Sequence, residues 1–349
     1  MIPVFDGHND YLQRAVQVGE GADELWLQGD GTGHMDLPRL RQGGMAGGFF
    51  AIWIPTAQSL NSGETARLMA NPPYALPLAE EVDHDTALPH AFRQAAALRR
   101  MERTGTLDVV TSAAEIRSSM AEGRVAAIMH IEGAEPIRDM DALHLWHAAG
   151  LRSLGPVWSR PTVYGNGVPF VYPGGPDQGP GLTDAGRSLV RECNALGIMI
   201  DLSHLNEAGF NDVAALSDAP LVASHSCVHA ICPTPRNLTD RQLQLIADSG
   251  GLVGLNYGVS FLRTDGKRAP FAGFDPMLRH LDHLLGILGE DGVALGSDFD
   301  GALMPADLPD AEALPALIRA MRDHGYDEAL IRKIAAENWI NLLERTWGS

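Results

Sequence analysis

His8 and Asp10 stand one residue apart, where the short apolar run from Ile2 to Phe5 gives way to Asp6-Gly7-His8-Asn9-Asp10. On an extended chain, residues two apart point to the same side. An imidazole and a carboxylate therefore leave the end of a first strand together, which is how a metal site begins. Alone, the segment also reads as a polar turn, since Asp-Gly and Asn-Asp are turn formers. The same residue types recur at the ends of later apolar runs. Glu132 follows Arg124–Ile131, His204 closes Gly197–His204, His225 closes Pro220–His225, and Asp298 closes Gly292–Asp298.

Singly, each has a plain structural reading. His204 and His225 suit hydrogen-bonded core histidines. Glu132 suits a carboxylate at a helix start, and Asp298 a helix cap. Their joint occurrence at equivalent positions argues otherwise, because unpaired buried charge is very costly. Two divalent cations sharing a bridging carboxylate would offset it. His130, two residues before Glu132, faces the same way and reads as a supporting group. The other histidines, His34 among them, fall in loops or on helical patterns and read as solvated or packing residues.

To bring these residues together, the chain needs an architecture that gathers strand ends. Eight apolar runs supply candidate strands: Ile2–Phe5, Gly47–Ile54, Arg124–Ile131, Leu151–Trp158, Gly197–His204, Pro220–His225, Gly250–Tyr257 and Gly292–Asp298. Several are apolar on both faces, as strands of a covered parallel sheet should be. Helical patterns lie between them, among them Thr86–Arg103, Thr111–Glu122, Thr183–Leu196 and Asp275–Leu288. The alternation predicts an α/β fold, a (β/α)8 barrel with the metal site at the C-terminal ends of its strands. An open doubly wound sheet competes, but no dinucleotide glycine fingerprint follows the first strand. We expect one catalytic domain over residues 1–349, with long βα-loop insertions at about 55–110 and 159–182. The second contains the Gly/Pro-rich stretch Val163–Gly181; loops of that length are usually functional.

Composition bounds the setting. With 349 residues and 45% hydrophobic content, a large core is available. Lys plus Arg total 26 against 44 Asp plus Glu, a formal net charge of -18. So acidic a chain argues against nucleic acid and anionic membranes as partners. The three cysteines, Cys193, Cys227 and Cys232, form no disulfide framework or zinc knuckle and read as buried thiols. No basic segment precedes the first strand and no apolar run reaches transmembrane length, so the cytoplasm is the expected location.

The motifs, taken together and in order, resemble the membrane (renal-type) dipeptidases of the metallo-dependent amidohydrolase superfamily, over nearly the whole chain. The matching pieces are Asp6–Asp10, His34–Leu40 (HMDLPRL), Glu132-Gly133, Ile200–His204 (IDLSH), Ser224-His225-Ser226 with Arg236-Asn237, and Gly296–Gly301 (GSDFDG). The resemblance implies a (β/α)8 barrel holding two Zn²⁺ per chain. Carried over by position, His8 and Asp10 would bind one zinc, and His204 and His225 the other. Glu132 and a water or hydroxide would bridge them. Arg236 would receive the substrate's terminal carboxylate, and Asp298 would be the catalytic acid/base. The implied activity is hydrolysis of a dipeptide with tolerance of a D-residue at its C-terminal position. The family is often dimeric, so a homodimer is open to this chain. One departure stands out: the family usually has a histidine where Trp158 stands here. An indole N–H donates a hydrogen bond but takes up no proton. Trp158 would replace the donor function or reshape the pocket, which opens the alternative of an N-acyl amino acid, a cyclic amide or a lactone as substrate. The family's membrane location is not carried over.

Overall fold

The structure is a computed structural model that describes residues 1–56 and 63–348. Residues 57–62, inside the first expected insertion, lie outside the described residues. Each of the eight apolar runs overlaps a strand: β1 Val4–Asn9, β2 Met45–Trp53, β3 Val125–Glu132, β4 Leu151–Gly155, β5 Met199–Ile200, β6 Val222–Ser226, β7 Leu252–Leu255 and β8 Val293–Leu295. β1 to β5 pair in sequence order in one parallel sheet, and the short strand Leu107–Val109 adds to the start of β3. β6, β7 and β8 form a second parallel sheet. Isolated parallel bridges link the sheets at both ends, Asp201 to Val222 and Asn9 to Phe299.

Register puts the chemistry on one rim. Trp53 pairs with Glu132, and Glu132 with Gly155. In the other sheet Ser226 pairs with Leu255, and Leu255 with Leu295. Parallel strands in such register end at one level, so the residues that follow them share a face of the molecule. β1 runs further than expected, through His8 and Asn9. β5 is shorter than its apolar run, because the chain leaves regular pairing at Asp201 and turns at His204.

Local chemistry sets the helix boundaries. The side chains of Ser112, Asp139, Thr183 and Asn206 each cap a helix by accepting from the backbone N–H three residues on. Thr239 and Gln242 form a reciprocal capping box. The helix expected from Thr86 begins at His84, because the Asp83 carboxylate accepts from the Thr86 N–H and starts it earlier. The apolar runs did not announce the helices Tyr11–Val18, Ala22–Gln28 and Leu37–Gly43, which follow β1. The second insertion forms two small antiparallel pairs. Pro161–Thr162 pairs with Gly165–Asn166, and Val171–Tyr172 with Tyr74–Ala75 of the first insertion. Among the described residues no helix is long and apolar enough to cross a membrane.

Inward-facing side chains of both sheets make a compact core: Phe5, Phe49, Ile128, Met199, Val222, Leu252 and Ala294. Trp339, from the C-terminal helix Asn338–Trp347, enters this core and donates its indole N–H to the Leu295 carbonyl at 2.8 Å. Gly7 makes this approach feasible. A Cβ on Gly7 would lie 2.5 Å from the Trp339 ring and 2.4 Å from the Ser224 carbonyl oxygen. Gly7→Ala is expected to lower stability by roughly 1–3 kcal/mol, the cost of overpacking a filled core. Denaturant unfolding of the two proteins checks this.

Candidate metal centre and active site

Four strand ends deliver five polar residues into one place. His8 lies in β1 and Asp10 just beyond it, Glu132 ends β3, His225 lies in β6, and His204 follows β5. All five are almost fully withdrawn from solvent. His204 Nε2 is 3.1 Å from Glu132 Oε1, His225 Nε2 is 3.3 Å from the same oxygen, and the two nitrogens are 3.2 Å apart. His8 Nε2 lies 3.5 Å from Asp10 Oδ2 and 3.7 Å from Glu132 Oε1. The His8 and His225 rings stack at 3.8 Å, which sets the two groups side by side with Glu132 common to both.

These distances fit a metal. Bonds of roughly 2.0–2.1 Å to a tetrahedral ion place neighbouring ligand atoms about 3.3 Å apart. The His204–His225–Glu132 triangle has edges of that length. Hydrogen bonding explains why the lone pairs point inward. His204 Nδ1 bonds Ser159 Oγ at 2.7 Å, and His225 Nδ1 bonds Ser224 Oγ at 2.7 Å. Ser224 Oγ in turn donates to Asp201 Oδ2, which leaves its oxygen to accept from His225. With His225 Nδ1 a donor, and His204 Nδ1 taking the same role toward Ser159 Oγ when it binds a metal through Nε2, each Nε2 carries a lone pair facing the other and facing a carboxylate oxygen. Three lone pairs in van der Waals contact repel unless a cation lies among them. Glu132 Oε1 and both His8 nitrogens are buried with no hydrogen-bond partner among the described residues. These are donor atoms suited to one or two small divalent ions.

Electrostatics of the protein alone carry the same signature of incompleteness. Burial pushes the Glu132 carboxyl well above its usual range. Burial, with the charges of Arg236 and His8, pushes His204 and His225 well below theirs. At His8 burial works the other way, but Glu132 and Asp10 outweigh it and raise the imidazole to about 10.

Asp298 stands beside this group on the chain leaving β8, open to the cavity on one edge. Its Oδ2 accepts from Asn256 Nδ2 at 2.8 Å, and its backbone N–H donates to the His8 carbonyl at 3.0 Å. Burial first, and then the Asp10 charge, lifts its carboxyl to about 6. Asp6 holds the turn from below, its carboxylate accepting from the Ser297 N–H at 2.6 Å and from Ser297 Oγ at 2.9 Å. Among the described residues, the non-glycine positions with positive φ are His204, Asp298 and Asp300. All three lie on this rim, where such strain marks function. Gly301 completes the turn: a Cβ there would lie 2.0 Å from Asp10 Oδ2 and 2.4 Å from Asp298 Oδ1.

A cavity of about 780 Å³ opens onto these groups, and Arg236 and Trp158 line it with Asp10, Glu132, His204 and Asp298. Arg236 is 3% exposed, donates from Nη2 to the His225 carbonyl at 3.1 Å, and leaves Nε and Nη1 without partners among the described residues. Trp158 packs 5.7 Å from the His204 ring. Every expected site residue therefore reaches one place. His130 is a neighbour, bonded to Ser153 Oγ at 2.8 Å and edge-on to His8. The sequence reading missed Ser159, Ser224, Asp201 and Asn256, which orient the others. Asp201 alone left a signal, a carboxylate in an apolar strand. His34, expected to be solvated or packing, accepts the Asp300 N–H on Nδ1 at 2.8 Å and so ties its loop to the rim.

The chain is similar to known proteins over nearly its whole length. The model of the membrane dipeptidase family (peptidase family M19) matches residues 1–347. A crystal structure of a metallo peptidase from Rhodobacter sphaeroides, liganded with a phosphinate mimic of the dipeptide L-Ala-D-Ala, is 58% identical, covers 99% of each chain and superposes with a TM-score of 0.98. A second solved structure, the dipeptidase AC of family M19, is also 58% identical, covers 100% of this chain and 99% of its own, and has a TM-score of 0.96. An uncharacterized protein in the pqqA 5′ region of Klebsiella pneumoniae is 45% identical over 262 residues, which is 73% of this chain and 96% of that protein.

The Ser159–His204 hydrogen bond makes a specific demand. Ser159→Ala should weaken metal binding by about 10- to 100-fold, as loss of a group that orients a ligand typically does. Competition with a chromogenic chelator measures it, and Ser159→Thr should retain most of the affinity.

Proposed function

The chain belongs to the membrane dipeptidase family and is a metallo-dipeptidase, a hydrolase, and on that footing we propose that it is a zinc enzyme holding two ions, cleaving dipeptides whose C-terminal residue is D or L. The observation that carries this reading is the buried triangle of His204 Nε2, His225 Nε2 and Glu132 Oε1, with His8 and Asp10 alongside. In this reading His8 and Asp10 would hold one zinc and His204 and His225 the other, with Glu132 available to both. The dipeptide mimic bound to the Rhodobacter sphaeroides enzyme supports the substrate class and the D-residue. The two strand bridges and the shared inner core support reading the whole chain as one (β/α)8 barrel domain.

Bound zinc would supply an acidified water and polarise the scissile carbonyl. The chain's residues do the rest. Arg236 receives the terminal carboxylate through donors that have no other partner among the described residues, a charge-assisted contact that fixes the substrate's direction. Asp298, held on Asn256 and clamped through Ser297, takes the proton of the attacking water and returns it to the leaving amine. A carboxyl raised by burial suits both halves of that transfer. Trp158 closes the cavity beside His204 and keeps solvent from the reacting carbonyl.

Trp158 also favours a second reading. With no imidazole there, the site could act on an N-acyl amino acid, a cyclic amide or a lactone instead, using the same metals. A panel of L-L and L-D dipeptides beside N-acetyl amino acids decides between them. We expect turnover of dipeptides; turnover of the acyl compounds alone would overturn the reading. Asp298→Asn should keep its zinc and lose at least about a thousandfold in kcat, consistent with removal of a general acid/base. Elemental analysis together with the kinetics checks both halves.

A further inference from the structure

The cavity has two unlike walls. One is aromatic and continuous. Arg236 lies over the Phe261 ring at 5.3 Å, Phe261 stacks on Phe170 at 6.3 Å, Phe170 meets Trp158 at 5.9 Å, and Trp158 meets Trp53 at 5.4 Å. Phe170 and Trp158 also flank His204, at 6.4 and 5.7 Å. The wall thus runs from the guanidinium to the metal ligands. The other wall is mostly polar and belongs to the chain that follows β1: Gln13, Arg14, Gln17, Asp30 and Thr32 line the cavity beyond Asp10, with Val18 as their apolar neighbour. Arg14 is fixed there. It donates to the Met35 carbonyl at 3.0 Å and to Thr32 Oγ1 at 3.2 Å, pairs with Asp30, and is packed so closely against Gly33 that a Cβ would lie 2.3 Å from Nη1.

We infer that this site sorts dipeptides by residue order, taking an apolar, preferably aromatic, side chain on the C-terminal residue and a polar one on the N-terminal residue. The inference rests on the reading that Arg236 receives the carboxylate. The C-terminal residue then spans the distance from Arg236 to the metal ligands, and that distance is bounded by Phe261, Phe170 and Trp158. A polar side chain laid on those rings would lose its water to ring faces, with Ser260 and Arg268 the further polar lining among the described residues on the side away from β1, besides Thr56 and Arg236. An aromatic one would bury its surface and meet ring edges and faces. The N-terminal residue extends the other way, past Asp10, where the Arg14 guanidinium is held by Thr32 and Asp30 beside the Gln13 amide. A polar side chain finds donors and acceptors there, and an apolar one covers charged groups it cannot satisfy.

The test uses two isomers of identical composition, Gln-Phe and Phe-Gln, each written N-terminal residue first and each prepared with an L or a D C-terminal residue. The zinc-loaded enzyme should favour Gln-Phe over Phe-Gln by about tenfold or more in kcat/KM, the scale of burying one large apolar side chain. Binding is read apart from turnover by tryptophan fluorescence in the Asp298→Asn variant, since Trp53 and Trp158 line the wall; the same order of affinities is expected. Phe170→Ala should shrink the preference toward unity, and Phe170→Leu should restore much of it, which a general loss of folding would not do. Equal rates for the two isomers, or a preference for Phe-Gln, would overturn the inference and leave the dipeptidase reading standing. Hydrolysis of neither isomer, with turnover of N-acetylphenylalanine, would overturn both.

Discussion

A carboxylate and three imidazoles buried against one another need a positive charge among them. Glu132 and His8 present buried atoms with no hydrogen-bond partner among the described residues, and the Nε2 atoms of His204 and His225 face one another at 3.2 Å. In a low-dielectric interior such an arrangement is strongly unfavourable without compensating positive charge. Cation binding and the folded geometry of the rim are therefore linked: the protein builds the lone pairs, and the ion removes their repulsion. Much of the surrounding structure holds these atoms in that unfavourable placement. Ser159 and Ser224, the latter backed by Asp201, fix the two imidazoles. Asp6 and Ser297 fix the turn that presents Asp298.

That turn and the one at His204 are strained. Positive φ at His204, Asp298 and Asp300 persists because neighbouring contacts leave no other conformation. Gly301 leaves the room that Asp10 and Asp298 need, and the His34 loop clamps Asp300 from outside. Beneath the rim the opposite condition holds. The inner core of Phe5, Phe49, Val222, Leu252 and Trp339 is close-packed, and it gives the strand ends a rigid floor. Ligands on strand ends above a packed core move little, which suits a site whose distances matter to tenths of an ångström.

Much of this was legible in the sequence, for physical reasons. Apolar runs mark covered parallel strands, and all eight overlap one. Polar residues that break such runs at their C-terminal ends converge by topology alone, which is why His8, Asp10, Glu132, His204, His225 and Asp298 could be read as one set. Arg236 and Trp158 lie on loops and were reached only through the family resemblance; the cavity lining agrees with both. The helices after β1 escaped notice because each is short, eight, seven and seven residues, too few turns for a helical period to stand out. Ser159, Ser224 and Asn256 escaped because a small polar residue carries no pattern until its partner is placed beside it. Strand ends moved by a few residues wherever a ligand's backbone left the ladder, as at Asp201.

The asymmetry of the cavity follows from the same plan. Loops after β4 and β7 carry aromatic residues to the Arg236 side, while the chain after β1 carries polar ones beyond Asp10. Both walls are arranged around the metal positions, so the location of the ions decides the account. Crystals grown with zinc and measured on both sides of the zinc absorption edge give that location directly. Two anomalous peaks should flank the Glu132 carboxylate, one within about 2.0–2.2 Å of His8 and Asp10 and the other within that distance of His204 and His225. A single peak, or peaks bound away from these five side chains, would contradict it.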